Sequence, residues 1–351
     1  MLDAHAPADW LKPSLHPVYA RLICAELRRR GFSEDEILQG TRLNWAELHG
    51  SNLFLSFEQT RRLVLRALTL TQCPWLGLQV GLSTQLSAHG ALGYAAMAAG
   101  TVGEAMLLLQ RFTDVRLRLA RMDVDTRGGF ALVLKEVLVS DDVREYIVGH
   151  IAAAMLRMFE TIAGQDMRGR VRIQWPFPEP PWGQHYRDFC PQSEFGADQL
   201  RMELPLDVWG SPGIASDPEA FRTALRDCER QLNQIEMGTV TTRVQRRLLG
   251  CDGSYPSLEQ MAELEHVSPR TLIRHLSEEG MSYQRLLDAV REELACWLLV
   301  HTELSVEAIA ERLGYQDTSN FSRTFRRWLG VTPRDFRQTR VDHKPLEAQS
   351  G

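Results

Sequence analysis

The chain has 351 residues, 44% hydrophobic and 24% charged, and its 40 Lys and Arg against 45 Asp and Glu leave a formal charge of −5. At about 150 residues per domain this is room for about two soluble domains with sizeable cores, and it excludes a disordered or fibrous chain. A negative balance provides no global field for nucleic acid or membrane, so any such attraction is local.

The six cysteines, Cys24, Cys73, Cys190, Cys228, Cys251 and Cys296, form no C-x-x-C pair. Neither a disulfide framework nor a metal site is signalled, and a reducing cytoplasm suits them. Residues 1–19 carry acids, histidines and prolines but no apolar run of the kind secretion needs, and they are expected to be an N-terminal extension of a cytoplasmic protein. Between Arg66 and Glu104 there is no charged side chain, yet Pro74 and six glycines interrupt the stretch, so it is not a membrane span.

In chain order, Leu15, Val18, Tyr19, Leu22, Ile23 and Leu27 have helical spacing, with Gly31 as a C-terminal stop. Helices are also predicted over Glu58–Thr71 and Val102–Phe112, the second capped by Thr101. From Val115 the period changes to two. Val115, Leu117 and Leu119 alternate with Arg116, Arg118 and Arg121, which predicts a half-buried strand with its arginines outward. Asp125–Gly129 then reads as a turn, Phe130–Val139 as the returning strand, and Asp141–Ala163 as a helix with Tyr146, Ile147, His150, Ile151 and Met155 on one side. Val171, Ile173 and Trp175 alternate again, and a short strand is predicted at Gln199–Leu204. This order argues for an α+β first domain over residues 20–210, with a helical linker over 211–240 and a boundary near Ile235.

Nothing between Gly250 and Phe336 reads as strand, and this part repeats itself. Ser257-Leu258-Glu259-Gln260-Met261-Ala262-Glu263 recurs 48 residues later as Ser305-Val306-Glu307-Ala308-Ile309-Ala310-Glu311. Each copy opens on a serine cap, reaches a tight break at Glu265-His266-Val267 or Leu313-Gly314-Tyr315, and continues into a second amphipathic helix. Leu272 and Leu276 of the first copy match Phe321 and Phe325 of the second as inward residues, and Arg274 matches Arg323 on the outer face. An apolar stripe from Tyr283 to Leu298 joins the copies as one helix of about 30 Å, close to the 34 Å turn of a duplex. Residues 312–340 hold seven arginines, Arg312, Arg323, Arg326, Arg327, Arg334, Arg337 and Arg340, against two acids. Such a patch releases counterions from phosphates and makes bidentate contacts to phosphate or guanine.

These residues carry a resemblance. Val267-Ser268-Pro269-Arg270-Thr271-Leu272, Ile309-Ala310 with Gly314-Tyr315, Asn320 through Arg327, and Gly330-Val331-Thr332-Pro333-Arg334-Asp335-Phe336 are similar to the DNA-binding domain of AraC-family transcription regulators. The resemblance implies an all-α double helix-turn-helix domain over 241–338, followed by a tail over 339–351. It implies base-reading side chains at Arg270, Ile273 and Arg274 in the first copy and Thr318, Ser319, Asn320 and Arg323 in the second, with Arg326, Arg327 and Thr332 on phosphate. Glu265 departs from the pattern, because the family usually places an apolar residue there, as at Leu313 in the second copy; a Glu265 pointing inward would weaken the first unit. In the first domain Leu76-Gly77-Leu78-Gln79-Val80-Gly81, Gly90 through Ala95 and Thr101 through Ala105 resemble the arabinose-binding-type sensor domain of an AraC subfamily that includes ornithine-utilisation regulators. That likeness names a domain and no ligand.

The expectation is a two-domain regulator with an α+β sensor domain followed by the double helix-turn-helix domain. Its partners would be double-stranded promoter DNA, RNA polymerase and an unidentified small-molecule effector, with no membrane, cofactor or metal. The resemblance implies activation rather than repression and a homodimer through the first domain, although two reading units in one chain do not require one. Tyr94, His150 and Trp175 are weighed as pocket residues against a plain core role, and the core role is preferred. His185 and Cys190 lack further ligands and read as loop positions. There is no H-E-x-x-H, G-x-S-x-G, G-x-G-x-x-G or Walker loop, so no enzyme is expected. The competing reading is a co-regulator whose C-terminal helices bind other proteins and whose exposed arginines are a solvated face.

Overall fold

The computed structural model describes residues 6–50, 54–127 and 129–341. The chain divides after Met237 into two units, Pro13–Met237 and the joined segments Met1–Lys12 and Gly238–Gly351. Most of the predicted tail, from residue 342 on, lies outside the described residues.

The first unit is α+β. Strands β1 (Pro13–Leu15) and β2 (Leu55–Ser56) pair with each other, and a separate sheet contains β3 (Ala120–Asp125), β4 (Phe130–Glu136), β5 (Arg172–Trp175), β6 (Gln192–Phe195) and β7 (Leu200–Leu204). Its order is β3-β4-β7-β5-β6, antiparallel throughout except for the parallel β5–β6 pair. Alternation sets its faces: Leu200, Met202 and Leu204 are buried, whereas Arg201 on the other face pairs with Asp125 at 2.9 Å.

One predicted element needs correction. No strand runs from Val115. Thr113–Val115 is a turn of 3-10 helix, the Thr113 carbonyl accepts from both Arg116 N and Leu117 N at 2.8 Å, and β3 begins only at Ala120. The pleat that would have turned Arg116 outward is therefore absent, and Arg116 is only 8% exposed.

Helix Asp141–Ala163 runs through the unit. It has the length and apolarity of a membrane span, with a mean hydropathy of 1.2, but 72% of that stretch is buried inside the protein. It packs on helix Leu76–Ser83 at a separation that requires Gly77 and Gly81: a Cβ at Gly77 would sit 2.2 Å from the Tyr146 carbonyl oxygen, and one at Gly81 2.4 Å from that of His150. Side-chain caps start the neighbouring helices. Ser56 and Gln59 form a capping box for Phe57–Thr71, and Thr101 accepts from Glu104 N ahead of Val102–Phe112. Helix Pro218–Met237 packs on helix Ala91–Ala98 and belongs to this unit.

The aromatic positions separate. Tyr94 is 56% exposed, and Trp175 is fully buried with its ring edge-on to Tyr186 at 4.8 Å. His185 is not in a loop as expected but on helix Gly183–Phe189, stacked on Trp75 at 3.7 Å, and Cys190 follows at the end of that helix, its thiol donating to the Val171 carbonyl at 3.1 Å.

The second unit is helical, with no strand among its described residues. Val240–Leu249 precedes one helix pair, Leu258–Leu264 and Pro269–Glu278; the linking helix Tyr283–His301 leads to the other, Val306–Arg312 and Thr318–Leu329, and Pro333–Val341 closes the unit. Leu272, Leu276, Trp297, Ile309, Phe321 and Phe325 are buried in its core. The helix Ala6–Leu11, from the other end of the chain, packs on the linking helix: the Trp10 ring lies edge-on to Trp297 at 5.9 Å and to His301 at 5.1 Å.

Candidate nucleic-acid interface

The second helix of each pair begins at a side-chain cap. Ser268 accepts from Thr271 N ahead of Pro269–Glu278, with Pro269 in the first turn where its missing N–H has no partner to lose. Asp317 accepts from Asn320 N at 2.6 Å ahead of Thr318–Leu329. The turns before them are built alike. Val267 N donates to Ala262 O at 3.0 Å and Tyr315 N to Ala310 O at 2.9 Å, and the left-handed residue between the helices is His266 (φ 57°) in the first copy and Gly314 (φ 74°) in the second. The sequence repeat is thus a repeat of helix-turn-helix geometry.

Burial divides each of these two helices into an inner and an outer face. In the first, Leu272 and Leu276 are buried while Arg270, Ile273 and Arg274 are exposed; Ile273 is 49% accessible, and Arg274 lies 3.8 Å from Glu278. In the second, Phe321 and Phe325 are buried, Ser319, Asn320, Arg323, Arg326 and Arg327 are exposed, and Thr318 is half-buried. Arg323, Arg326 and Arg327 have no ion-pair partner among the described residues. The Thr332 hydroxyl donates to Asp335 Oδ2 at 2.7 Å and accepts from Asp335 N, so it caps the closing helix.

Not every arginine of the patch is available. Arg337 donates to the carbonyls of Leu299 and Leu304 at 3.1 and 2.6 Å and so closes the end of the linking helix, and Arg312 lies 3.5 Å from Asp252. Charge counted along the sequence does not separate these from the exposed arginines.

Glu265 does point inward, its side chain 3% exposed, and it is fully engaged. Arg243 Nε and Arg247 Nε each donate to one of its oxygens at 2.7 Å. Burial pushes its pKa up, but the two guanidinium hydrogen bonds outweigh that and hold the carboxyl below its ordinary value. The i, i+4 spacing of Arg243 and Arg247 is the signal in the sequence that could have found this. Glu279, at the end of Pro269–Glu278, ties that helix to the start of Val240–Leu249, accepting from Val240 N and Thr241 N at 3.0 and 2.9 Å.

The two helix pairs are also tied to each other. Gly253 N donates to Arg312 O at 2.9 Å, and the Arg291 guanidinium of the linking helix lies 4.6 Å from the Tyr255 ring and 5.3 Å from the Tyr315 ring. The linking helix has 19 residues and is about 28 Å long. Among the described residues no group of three His, Cys, Asp or Glu side chains is placed to hold a metal ion.

Two helix-turn-helix units on one helical frame, accompanied by a separate α+β unit, define a two-domain DNA-binding transcription regulator. Residues 31–212 match the family model described as the arabinose-binding domain of AraC transcription regulator, N-term, and residues 261–339 match a helix-turn-helix domain. The chain is similar to the ornithine utilization regulator of Pseudomonas aeruginosa, 31% identical over 337 residues covering 95% of this chain and 98% of that one. It is also 27% identical over 342 residues to an uncharacterized HTH-type transcriptional regulator of Mycobacterium tuberculosis, covering 92% of this chain and 96% of the other. Among solved structures, the transcriptional regulator CdpR from Pseudomonas aeruginosa is similar at 26% identity and a TM-score of 0.46, covering 92% of this chain and 98% of that one. The chain belongs to the AraC family of transcription regulators.

Proposed function

We propose that this regulator reads a bipartite promoter site and activates transcription under the control of a small molecule. The observation that carries the reading is the second reading helix, whose buried Phe321 and Phe325 turn Arg323, Arg326 and Arg327 outward without counter-charges. Arg270, Ile273 and Arg274 would read bases in one half-site and Thr318, Ser319, Asn320 and Arg323 in the other, while Arg326, Arg327 and Thr332 hold phosphate. The linking helix supports two readers spaced near one duplex turn. DNA reading is assigned to residues 241–338, effector sensing to 20–210, and the work is done in the cytoplasm with RNA polymerase, as a homodimer through the first domain. Effector binding would shift the population of states competent for DNA.

Gel shift of the full chain on genomic fragments, in a salt series, tests this. Affinity should fall linearly on a log–log plot. Arg323→Ala and Arg274→Ala should each cost about 1–3 kcal/mol at the cognate site and relax the preference at particular bases, whereas Arg326→Ala should weaken all sequences alike and lower the salt slope by about 1. Equal losses on specific and random duplex for all three would overturn the assignment of readers.

A further inference from the structure

Two adjoining cavities lie inside the first unit. One is lined by apolar side chains such as Val64, Leu119 and Ile151 together with Tyr146 and His150; the other is lined by Leu92, Met158 and Arg116. Tyr19, His89, Leu117, Met122 and Met155 line both. They measure about 60 and 30 Å³, which together is space for about six to nine non-hydrogen atoms at the roughly 10–15 Å³ that a water-sized occupant requires.

Three polar side chains around this space are at least nine-tenths buried and short of partners. The Tyr146 hydroxyl and the His150 Nε2 have no hydrogen-bond partner among the described residues, although the two residues are only 4% and 6% exposed. Arg116 is 8% exposed, donates from Nε to the His89 carbonyl at 2.8 Å, and has no carboxylate within ion-pair distance among the described residues. A buried guanidinium without a counter-charge is costly, so a fold that keeps one at a cavity wall suggests a use for it. The backbone makes room for it. Gly90, at φ +58°, has its Cβ position 1.9 Å from Arg116 Nη2, so a side chain there would take the place of the guanidinium. The histidines around it are neutral, and Arg21 adds a second positive charge nearby. Burial, helped by the nearby Arg116 charge, lowers His16 to about 3 and His89 to about 4; burial, helped by His89, lowers His150 to about 4. Among the residues lining the two cavities, Arg116 is thus the cation, and there is no anion.

We infer that this pocket takes a small organic carboxylate, its carboxylate group on Arg116 and its apolar body of about six carbons against Val64, Met122, Ile151 and Met155. Tyr146 and His150 offer hydrogen bonds to one neutral polar group on that body. A cationic metabolite finds no acidic partner here. The inference rests on the reading of this unit as an effector sensor and names the chemical class of the effector.

Calorimetry on the full chain, without DNA, tests it with pentanoate, hexanoate and benzoate, each against its own primary amide. At least one acid should bind about ten- to a hundredfold more tightly than its amide, the range expected for hydrogen bonds to a charged group. Arg116→Gln should erase that difference and Arg116→Lys should keep part of it. Should Arg116→Gln fail to fold, Ala154→Leu fills the apolar end without touching the guanidinium and should abolish binding of the acid. No acid binding, amides binding as tightly as acids, or unchanged affinity in Ala154→Leu would each overturn the inference. Promoter gel shifts separate the two readings. An acid that binds as described and leaves promoter affinity unchanged counts against the sensor and not against the pocket chemistry, whereas a cationic compound that alters promoter affinity from this pocket supports the sensor and overturns the carboxylate.

Discussion

Glu265 and Arg116 are both charged groups set where the local pattern calls for something else. Glu265 occupies the position of Leu313 in the other copy and keeps its charge because Arg243 and Arg247 supply two hydrogen bonds at 2.7 Å. The sequence correctly marks it as a departure, but its two partners lie a helix away, and only the fold brings them together. Its depressed pKa has a definite sign: the stabilisation is complete above the unfolded carboxylate value of about 4.3 and disappears as pH falls through the lower folded value. Urea unfolding of the wild type should therefore lose more stability than that of Glu265→Gln as pH drops from 5 to 3; parallel curves would show the ion pairs contribute nothing. At neutral pH, Glu265→Ala should cost about 1.5–3 kcal/mol. Arg116 was illegible for another reason. Period-two alternation places it outward, and only the tight turn at Thr113 reveals that no pleat exists there.

Among the elements, those with local signals are the ones the sequence shows most clearly. Ser257, Ser268, Ser305 and Thr101 all act as caps where their spacing predicts, because an N-cap is written within four residues. The strands β1 and β2 carry no such signal because three and two residues cannot display a period, and β6 carries none because Phe195 is the one apolar residue of Gln192–Phe195. The contact between helices Leu76–Ser83 and Asp141–Ala163 offers a sharp test, because it holds glycines of two kinds. A Cβ at Gly77 would press on the Tyr146 carbonyl, whereas one at Gly149 meets only ordinary contacts, the nearest being Leu78 N at 3.6 Å. Gly77→Ala should lower stability by about 1–3 kcal/mol through overpacking. Gly149→Ala, mid-helix, should be tolerated and gain up to about 1 kcal/mol from helix propensity. Thermal unfolding of both variants checks this, and equal losses would mean the helix spacing is misjudged.

At the scale of the molecule, the change from α+β to all-α is visible in the sequence, and so is the doubling of the C-terminal motif. The composition of the second unit is not visible there. Nothing in residues 1–19 says that Trp10 packs on Trp297 and His301, because a single six-residue helix carries no address for a partner so distant in sequence. Removing that ring should therefore be felt far away. Trp10→Ala should destabilise the second unit by about 3 kcal/mol. Hydrogen exchange should rise along Tyr283–His301 and remain unchanged in Asp141–Ala163; the opposite pattern would place Trp10 in the wrong unit.

Such a discontinuous unit has a consequence for synthesis. Trp10 emerges from the ribosome early, and Trp297 follows nearly three hundred residues later. At translation rates of about 5 to 20 residues per second, the indole waits about 15 to 60 s for its partner. The segment Pro13–Met237 is complete by then, so the second unit closes only when a helix made before that segment is captured by one made after it.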